Sequence, residues 1–212
     1  MEDLKINFFR KLNSMSEIEY MEHFITYLIS PVITGIKPSS TITLSNSTKN
    51  IYEIWNLYGE KFLNKFGLES LVLKKFPEGA VILIYNRKVL EQHIFINENK
   101  EFLCELGYGK DLTLKDCLLC LKHKFEQVSF PHESGIFLGI PINDVKGFIN
   151  NRNCLLCGYW KVYDDCEKAK EIFKLYDKSK EIILTNILKG ENLELMIKSI
   201  SNIYTDQLRY IS

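Results

Sequence analysis

Two adjacent residues, His132 and Glu133, are the first candidates for chemistry in this sequence of 212 residues. An imidazole beside a carboxylate can be held neutral near pH 7 and can then act as a general acid or base. The spacing is not that of an HExxH zinc protease, because position 136 is Ile. A structural role is the alternative, since a Glu in the first turn of a short helix is stabilised by the helix dipole. Both interpretations stay open for this pair.

A second candidate is the hexapeptide GYWKVY, which belongs to a predicted strand over residues 154–163. Alternation along a strand places Tyr159, Lys161 and Tyr163 on one face. That face would be either solvent-exposed or an aromatic platform for a ligand, with a cation beside it. Lys37 is another polar residue in apolar company, in an Ile-Lys-Pro-Ser turn. The predicted ligand-binding residues are Lys37, His132, Tyr159, Lys161 and Tyr163.

Two Cys-Leu-Leu-Cys tetrapeptides invite comparison with a four-thiolate zinc site. On a helix, Cys117 and Cys120 share a face, whereas on a strand Cys154 and Cys157 point to opposite faces. A strand therefore cannot offer both sulfurs to one metal, and the Leu-Leu spacers are typical of a core. The sequence predicts no metal site and buried thiols. Cys157 stays a third catalytic candidate, because it could meet His132 in space as a Cys-His dyad.

The amino-acid composition disfavours several classes of protein, including nucleic-acid-binding, membrane and secreted proteins. Lys and Arg number 27, as do Asp and Glu, so no excess of one charge favours nucleic acid or an anionic membrane. No apolar run has the length of a signal peptide or a membrane span. The six Cys are expected to be reduced thiols, which indicates a cytoplasmic protein. No glycine-rich phosphate loop is present.

The elements that must position these residues follow from periodicity and caps. The run AVILIY is apolar at every position and predicts a central strand covered on both faces. Pro77-Glu78-Gly79 predicts the turn of an antiparallel hairpin. The fold class is α+β, a small mixed sheet of about four strands packed by about seven helices, in a single domain over 1–212 with a helical part over 165–212. Strands are predicted over 41–44, 68–76, 80–85 and 154–163, and the final two helices over Cys166–Leu188 and Asn192–Tyr210.

Several motifs together carry a family resemblance. They are Tyr27-Leu28-Ile29-Ser30-Pro31-Val32, Gly35-Ile36-Lys37-Pro38-Ser39, Phe130-Pro131-His132-Glu133, Gly135-Ile136-Phe137-Leu138-Gly139 with Pro141, Asp144-Val145 with Gly147-Phe148-Ile149, and Cys157 to Tyr163. With these motifs the chain resembles an uncharacterised bacterial family, a domain of unknown function found in small cytosolic proteins of anaerobic Gram-positive bacteria. The resemblance extends to about Lys180 and implies redox or iron physiology, with no established activity. Within it Cys157 belongs to the motif, while Cys120 and Cys154 depart from it.

Three functions fit these residues. The favoured one is a non-catalytic protein that binds a small molecule, cofactor or protein partner in a cleft between residues 130–149 and the strand over 154–163. The alternative is an enzyme with His132 or Glu133 as general acid or base. The second alternative is a structural adaptor that self-associates through its C-terminal helices, from about Asp165 onward. The cofactor and the oligomeric state stay open.

Overall fold

The apolar run AVILIY lies at the centre of the fold. In the computed structural model, which describes residues 2–192, it belongs to β3 (Gly79–Tyr85), which pairs on one side with β1 (Ser39–Ser45) and on the other with β2 (Glu69–Phe76). Both pairings are antiparallel, so the sheet is antiparallel and not mixed as predicted. The expected central strand and the β2–β3 hairpin are confirmed.

Helices cover both faces of this sheet, because the side chains of β3 alternate between two cores. Ile82 and Ile84 join a core with the helices from the two ends of the described chain, whereas Leu83 and Tyr85 join a second core with the helices from its middle. The described chain is thus an α+β fold with more helices than predicted. The helices are α1 Glu2–Asn13, α2 Glu17–Leu28, α3 Ser30–Ile33, α4 Ile51–Asn64, α5 Arg87–Ile94, α6 Asn97–Glu105, α7 Leu114–Gln127, α8 Ser134–Phe137, α9 Ile142–Ile149 and α10 Cys166–Lys189. No helix within residues 2–192 is both long enough and apolar enough to cross a membrane.

The helix starts were predictable from their capping residues. Ser16 and Thr113 each form a capping box with an acidic residue three positions on. Asn86 and Asp165 accept backbone N–H groups of the first turns of α5 and α10. Gly190 ends α10 with a φ of 77°, a conformation that favours glycine.

Two predictions about elements need correction. The segment over 154–163 is not one strand but a short antiparallel hairpin, β4 (Leu156–Cys157) and β5 (Lys161–Val162), in a sheet of its own. The chain reverses at Gly158, where the ring of Phe173 lies so close that a Cβ atom would collide with it. Helix α1 was not predicted, although its Phe8 and Leu12 are fully buried. The helix predicted over Asn192–Tyr210 lies outside the described residues, apart from its first position.

Candidate functional site

The segment over 130–149 folds as two short helices with a sharp bend between them. Gly139 ends α8 with a φ of 76°, and Pro141 starts α9. Pro38 packs against this bend so closely that a Cβ on Gly139 would lie 2.6 Å from its Cδ. Two features therefore require glycine at position 139, namely the positive φ of its backbone and the close contact with Pro38. The bend directs α9 toward the β4–β5 hairpin.

Asp144 connects α9 to that hairpin. Its side chain is 3% exposed, and one carboxylate oxygen accepts the indole N–H of Trp160 over 2.7 Å. The other oxygen accepts the backbone N–H groups of Tyr163 over 2.6 Å and of Asp164 over 3.2 Å. Three N–H donors thus stabilise a buried carboxylate that forms no ion pair within residues 2–192. This residue fixes the position of Trp160 relative to α9.

A cavity of about 410 Å³ opens between α8, α9 and the hairpin, and we call it the aromatic cavity. Aromatic rings form much of its wall, and they belong to Phe130, Phe148, Tyr159 and Trp160. Aliphatic side chains line the rest, chiefly Leu138, Ile140 and Val145. Polar side chains are few, namely His132, Lys161 and the Asp144 carboxylate. The volume and the mixture are typical of small-molecule sites.

The two basic side chains of the aromatic cavity flank the same ring. The imidazole of His132 lies 5.1 Å from the Phe148 ring centre in an edge-on arrangement, and Lys161 Nζ lies 5.7 Å from that centre. Both side chains are exposed. Within residues 2–192, neither forms a hydrogen bond or an ion pair. Their donors are therefore free to bind a ligand.

Glu133 lies away from this cavity. Its carboxylate is buried and forms an ion pair of 2.9 Å with Lys124 of α7. Lys124 also donates to the carbonyl of Leu106 over 2.7 Å, and its Nζ lies 5.0 Å from the ring centre of Tyr108. Burial, with the nearby negative charge of Glu133 adding to it, raises the pKa of the Tyr108 hydroxyl. Although His132 and Glu133 are adjacent in sequence, they face different parts of the molecule. Glu133 has a structural partner in Lys124, whereas His132 faces the aromatic cavity.

Of the remaining predicted residues, Tyr159 lines the aromatic cavity and Tyr163 does not. Tyr163 is 5% exposed and packs against α9, where a Cβ on Gly147 would lie 2.6 Å from its own Cβ. The predicted common face of Tyr159, Lys161 and Tyr163 is therefore incorrect, because Tyr163 follows the end of β5 and its backbone N–H is bonded to Asp144. Tyr159 donates its hydroxyl to Asp177 of α10 over 2.7 Å.

Lys37 lies in a separate cavity of about 340 Å³, which we call the lysine cavity. Lys180 lines it as well, and Tyr159 forms part of the wall of both cavities. Among residues 2–192 neither ammonium has an ion-pair or hydrogen-bond partner, and their contacts are with rings: Lys37 Nζ lies 5.8 Å from the centre of Tyr176, and Lys180 Nζ 4.5 Å from that of Tyr159. Desolvation, with the charge of Lys180 adding to it, lowers the pKa of Lys37 to about 8. Two unpaired cations in a hydroxyl-lined hollow suit an anion.

Cys154 and Cys157 depart from prediction in two respects, their exposure and their direction. Cys154 and Cys157 do not point to opposite faces: both are exposed, and their sulfurs lie 3.5 Å apart, because Cys154 precedes the hairpin and residue 155 bends the chain. Cys157 is not among the residues that line the aromatic cavity, where His132 lies. In the part of the chain that the structure describes, no group of three or more His, Cys, Asp or Glu side chains is arranged to hold a metal ion.

Sequence reasoning missed three residues of these sites. Asp144 and Phe148 occur in the family motifs without an assigned role, and Lys180 marks only the end of the resemblance. Phe148 stands four positions after Asp144, so the helical period places both on one side of α9. That spacing could have indicated the wall of a cavity. Lys180 carried no comparable signal, because α10 is rich in lysine.

Comparison with known proteins gives one match. The sequence model of a family described as "Protein of unknown function (DUF3793)" matches residues 25–197. No curated protein and no solved structure matches the chain. The matched range includes the bend at Gly139, the whole aromatic cavity and the lysine cavity.

Proposed function

Because the chain belongs to the DUF3793 family of unknown function, its function has to be inferred from its site, and we propose that it binds a small molecule with a flat apolar body and an anionic group. The observation that carries this proposal is the aromatic cavity with its two free basic side chains. Its volume of about 410 Å³ lies within the usual range of ligand pockets, about 300–1,000 Å³.

The apolar part of the ligand is inferred from exposed rings. Phe130 is 48% exposed and Phe148 is 42% exposed, both at the same cavity. Large apolar surfaces that converge on one hollow indicate a binding site, since water solvates them poorly. A flat ring placed between them would bury these surfaces and could stack on Phe148.

The anionic part is inferred from charge. Lys161 and His132 contribute basic groups, while the carboxylate of Asp144 is already occupied by three N–H donors. The cavity therefore has donors without partners, and the acidic side chain in its wall, Asp144, is 3% exposed with both oxygens hydrogen-bonded to N–H groups. A carboxylate or phosphate between Lys161 and His132 would gain charge-assisted hydrogen bonds.

The alternative was an enzyme with His132 or Glu133 as general acid or base, and binding is favoured because Glu133 lies outside the cavity, which leaves His132 without a second acid–base candidate beside it. An enzyme that used both His132 and Glu133 would need them in one cavity, whereas Glu133 is paired with Lys124. The family resemblance implies redox or iron physiology. An aromatic redox cofactor that carries a phosphate would be consistent with that role. We include such a molecule among the probes for that reason.

The experiment titrates the full chain with matched pairs of ligands that differ in one anionic group. Flavin mononucleotide and riboflavin are one such pair, and aromatic carboxylic acids with their primary amides supply others. The fluorescence of Trp160, isolated by Trp55→Phe, reports binding because Trp160 lines the cavity. We expect an anionic member to bind at least about tenfold more tightly than its neutral partner, which equals about 1.4 kcal/mol.

Matched variants locate the site. Lys161→Ala should reduce the affinity of the anionic ligand to that of the neutral one, whereas Lys146→Ala removes an exposed cation of α9 outside the cavity and should have no effect. Phe148→Ala should weaken both ligands, and Tyr58→Ala, which removes a similarly exposed ring on α4, should weaken neither. The proposal is wrong if no pair binds, or if both members bind equally and independently of Lys161.

A further inference from the structure

The tetrapeptide Cys-Leu-Leu-Cys occurs twice, at residues 117–120 and 154–157, and the fold treats its two copies differently. The first copy lies in α7, where Cys117 is 3% exposed and packs in the core. Burial raises the pKa of the Cys117 thiol to about 11. In the second copy, both Cys154 and Cys157 are exposed. Identical sequence therefore yields one copy with a buried and a half-buried thiol and one copy with both thiols exposed.

Local geometry brings the exposed pair together. The backbone N–H of Leu155 donates to the carbonyl of Val162 over 2.9 Å, which fixes the start of the hairpin directly after Cys154. A bend at Leu155 then turns Cys154 back over the hairpin. Its sulfur lies 3.1 Å from the carbonyl oxygen of Leu156 and 3.5 Å from the sulfur of Cys157. The two thiols share a hydrogen bond at the surface.

We propose that Cys154 and Cys157 form a reversible dithiol–disulfide site that reacts with the disulfides of small thiols. A disulfide bond is about 2.05 Å long, so the sulfurs must approach by about 1.5 Å. Rotation of two exposed side chains about χ1 provides such a movement without disturbing a core. The site lies outside the aromatic cavity, and the inference does not depend on the ligand proposed there.

The reaction is a pair of thiol–disulfide exchanges. The thiolate of Cys154 attacks one sulfur of the external disulfide, which forms a mixed disulfide and releases one small thiolate. The thiolate of Cys157 then attacks the sulfur of Cys154, which forms the internal disulfide and releases the second small thiolate. Two electrons pass from the cysteines to the external disulfide, and the two thiol protons end on the released thiols.

The surroundings assign the order of attack. The hydrogen bond with Cys154 raises the pKa of the Cys157 thiol, and the positive charge of Lys161 acts in the opposite direction. Lys161 is the partner of Cys157 in the register of the hairpin. Cys157 suits the second step, because attack on an adjacent sulfur is intramolecular and tolerates a smaller thiolate fraction.

The test treats the reduced full chain with oxidised glutathione at pH 8 and follows two tryptic peptides by mass spectrometry. Cleavage after Arg152 and Lys161 gives one peptide with Cys154 and Cys157, and cleavage after Lys115 and Lys122 gives one with Cys117 and Cys120. We expect the first peptide to lose the mass of two hydrogens at least about tenfold faster than the second. Dithiothreitol should restore the original mass.

Single variants distinguish an internal disulfide from separate adducts. Cys157→Ser should leave Cys154 as a stable mixed disulfide with glutathione, and Cys117→Ser should leave the reaction of the exposed pair unchanged. The proposal is overturned if the first peptide stays reduced or carries glutathione on both cysteines. It is also overturned if the second peptide, with Cys117 and Cys120, oxidises before the first. Protection of both thiols by added zinc, reversed by a chelator, would overturn it as well.

Discussion

The buried carboxylate of Asp144 accepts the indole N–H of Trp160 over 2.7 Å, across sixteen positions of the sequence. Through this bond and the two backbone N–H groups at residues 163 and 164, α9 holds the hairpin that forms one wall of the aromatic cavity. The cavity therefore depends on a buried residue whose two carboxylate oxygens both accept hydrogen bonds from the protein.

Asp144→Asn should destabilise the protein by about 2–4 kcal/mol, because an amide has one acceptor oxygen and sets its NH₂ group against N–H donors. Urea denaturation measures this loss. The emission of Trp160, isolated by Trp55→Phe, should shift to longer wavelength as the indole gains water. Asn143→Ala is the control, since that exposed neighbour bonds Asp164 at the surface and should cost less than about 1 kcal/mol. Equal losses in the two variants would contradict the role given to Asp144.

The adjacent residues His132 and Glu133 should differ in their effect on stability. Glu133→Gln removes the charge partner of the largely buried Lys124 and should cost about 1–3 kcal/mol. His132→Ala removes an exposed side chain without a hydrogen bond in the described structure and should cost less than about 1 kcal/mol. Thermal and urea denaturation of both variants checks the pair, and a larger loss for His132→Ala would show that the imidazole belongs to the scaffold.

Lys37 should make stability depend on pH in the alkaline range. Its pKa is about 8 in the folded protein and 10.5 ordinarily, so between these values the unfolded chain binds more protons and stability rises with pH. Below pH 8 the full penalty of the desolvated ammonium applies. Lys37→Met should therefore stabilise the protein at pH 7 by about 1–2 kcal/mol, a figure reduced for solvent screening of a half-buried amine.

Above the ordinary pKa of lysine this gain should vanish, because both states are then neutral. The measurement is the difference in unfolding free energy between Lys37→Met and the natural chain, taken at pH 7 and again at a pH above the ordinary pKa of lysine. Lys61→Met, on an exposed position of α4, serves as the control and should show no such trend. A difference that stays constant with pH would contradict the assignment.

Gly147→Ala tests the close approach of α9 and the hairpin. Alanine favours a helix over glycine by about 1 kcal/mol, so an unhindered position would be stabilised. At position 147 the added Cβ would lie 2.6 Å from that of Tyr163, and we expect a net loss of about 1–3 kcal/mol instead. The sign of the change in urea denaturation decides between the two. Ligand affinity should fall with it, because the hairpin would move away from α9.

Much of the fold was predictable because local signals agree with it. Six consecutive apolar residues predicted β3 at the centre of the sheet, and capping side chains stand at three helix starts, at Ser16, Asn86 and Thr113. The expected concavity between the Gly139 bend and the aromatic segment is present, with His132, Tyr159 and Lys161 among its lining residues. Whether these residues bind a ligand stays a prediction.

The hairpin was not predictable because its causes are distant. The residues LLCGYWKVY alternate well enough to predict one strand. The chain reverses because Gly158 contacts Phe173 and because Asp144 accepts hydrogen bonds from Trp160 and Tyr163. Because one continuous strand was predicted over 154–163, the directions of the Tyr163 side chain and of the Cys154 sulfur were also predicted incorrectly. Lys37 lies in a different cavity from His132, because its turn leads into β1 on the side of α10.

Tyr159 forms part of the wall of both the aromatic cavity and the lysine cavity, so the two hollows share one ring. A molecule that rotates this ring when it enters one hollow changes the shape of the other. Thermodynamic linkage then makes the influence mutual: whatever factor the first occupant imposes on the affinity of the second, the second imposes on the first.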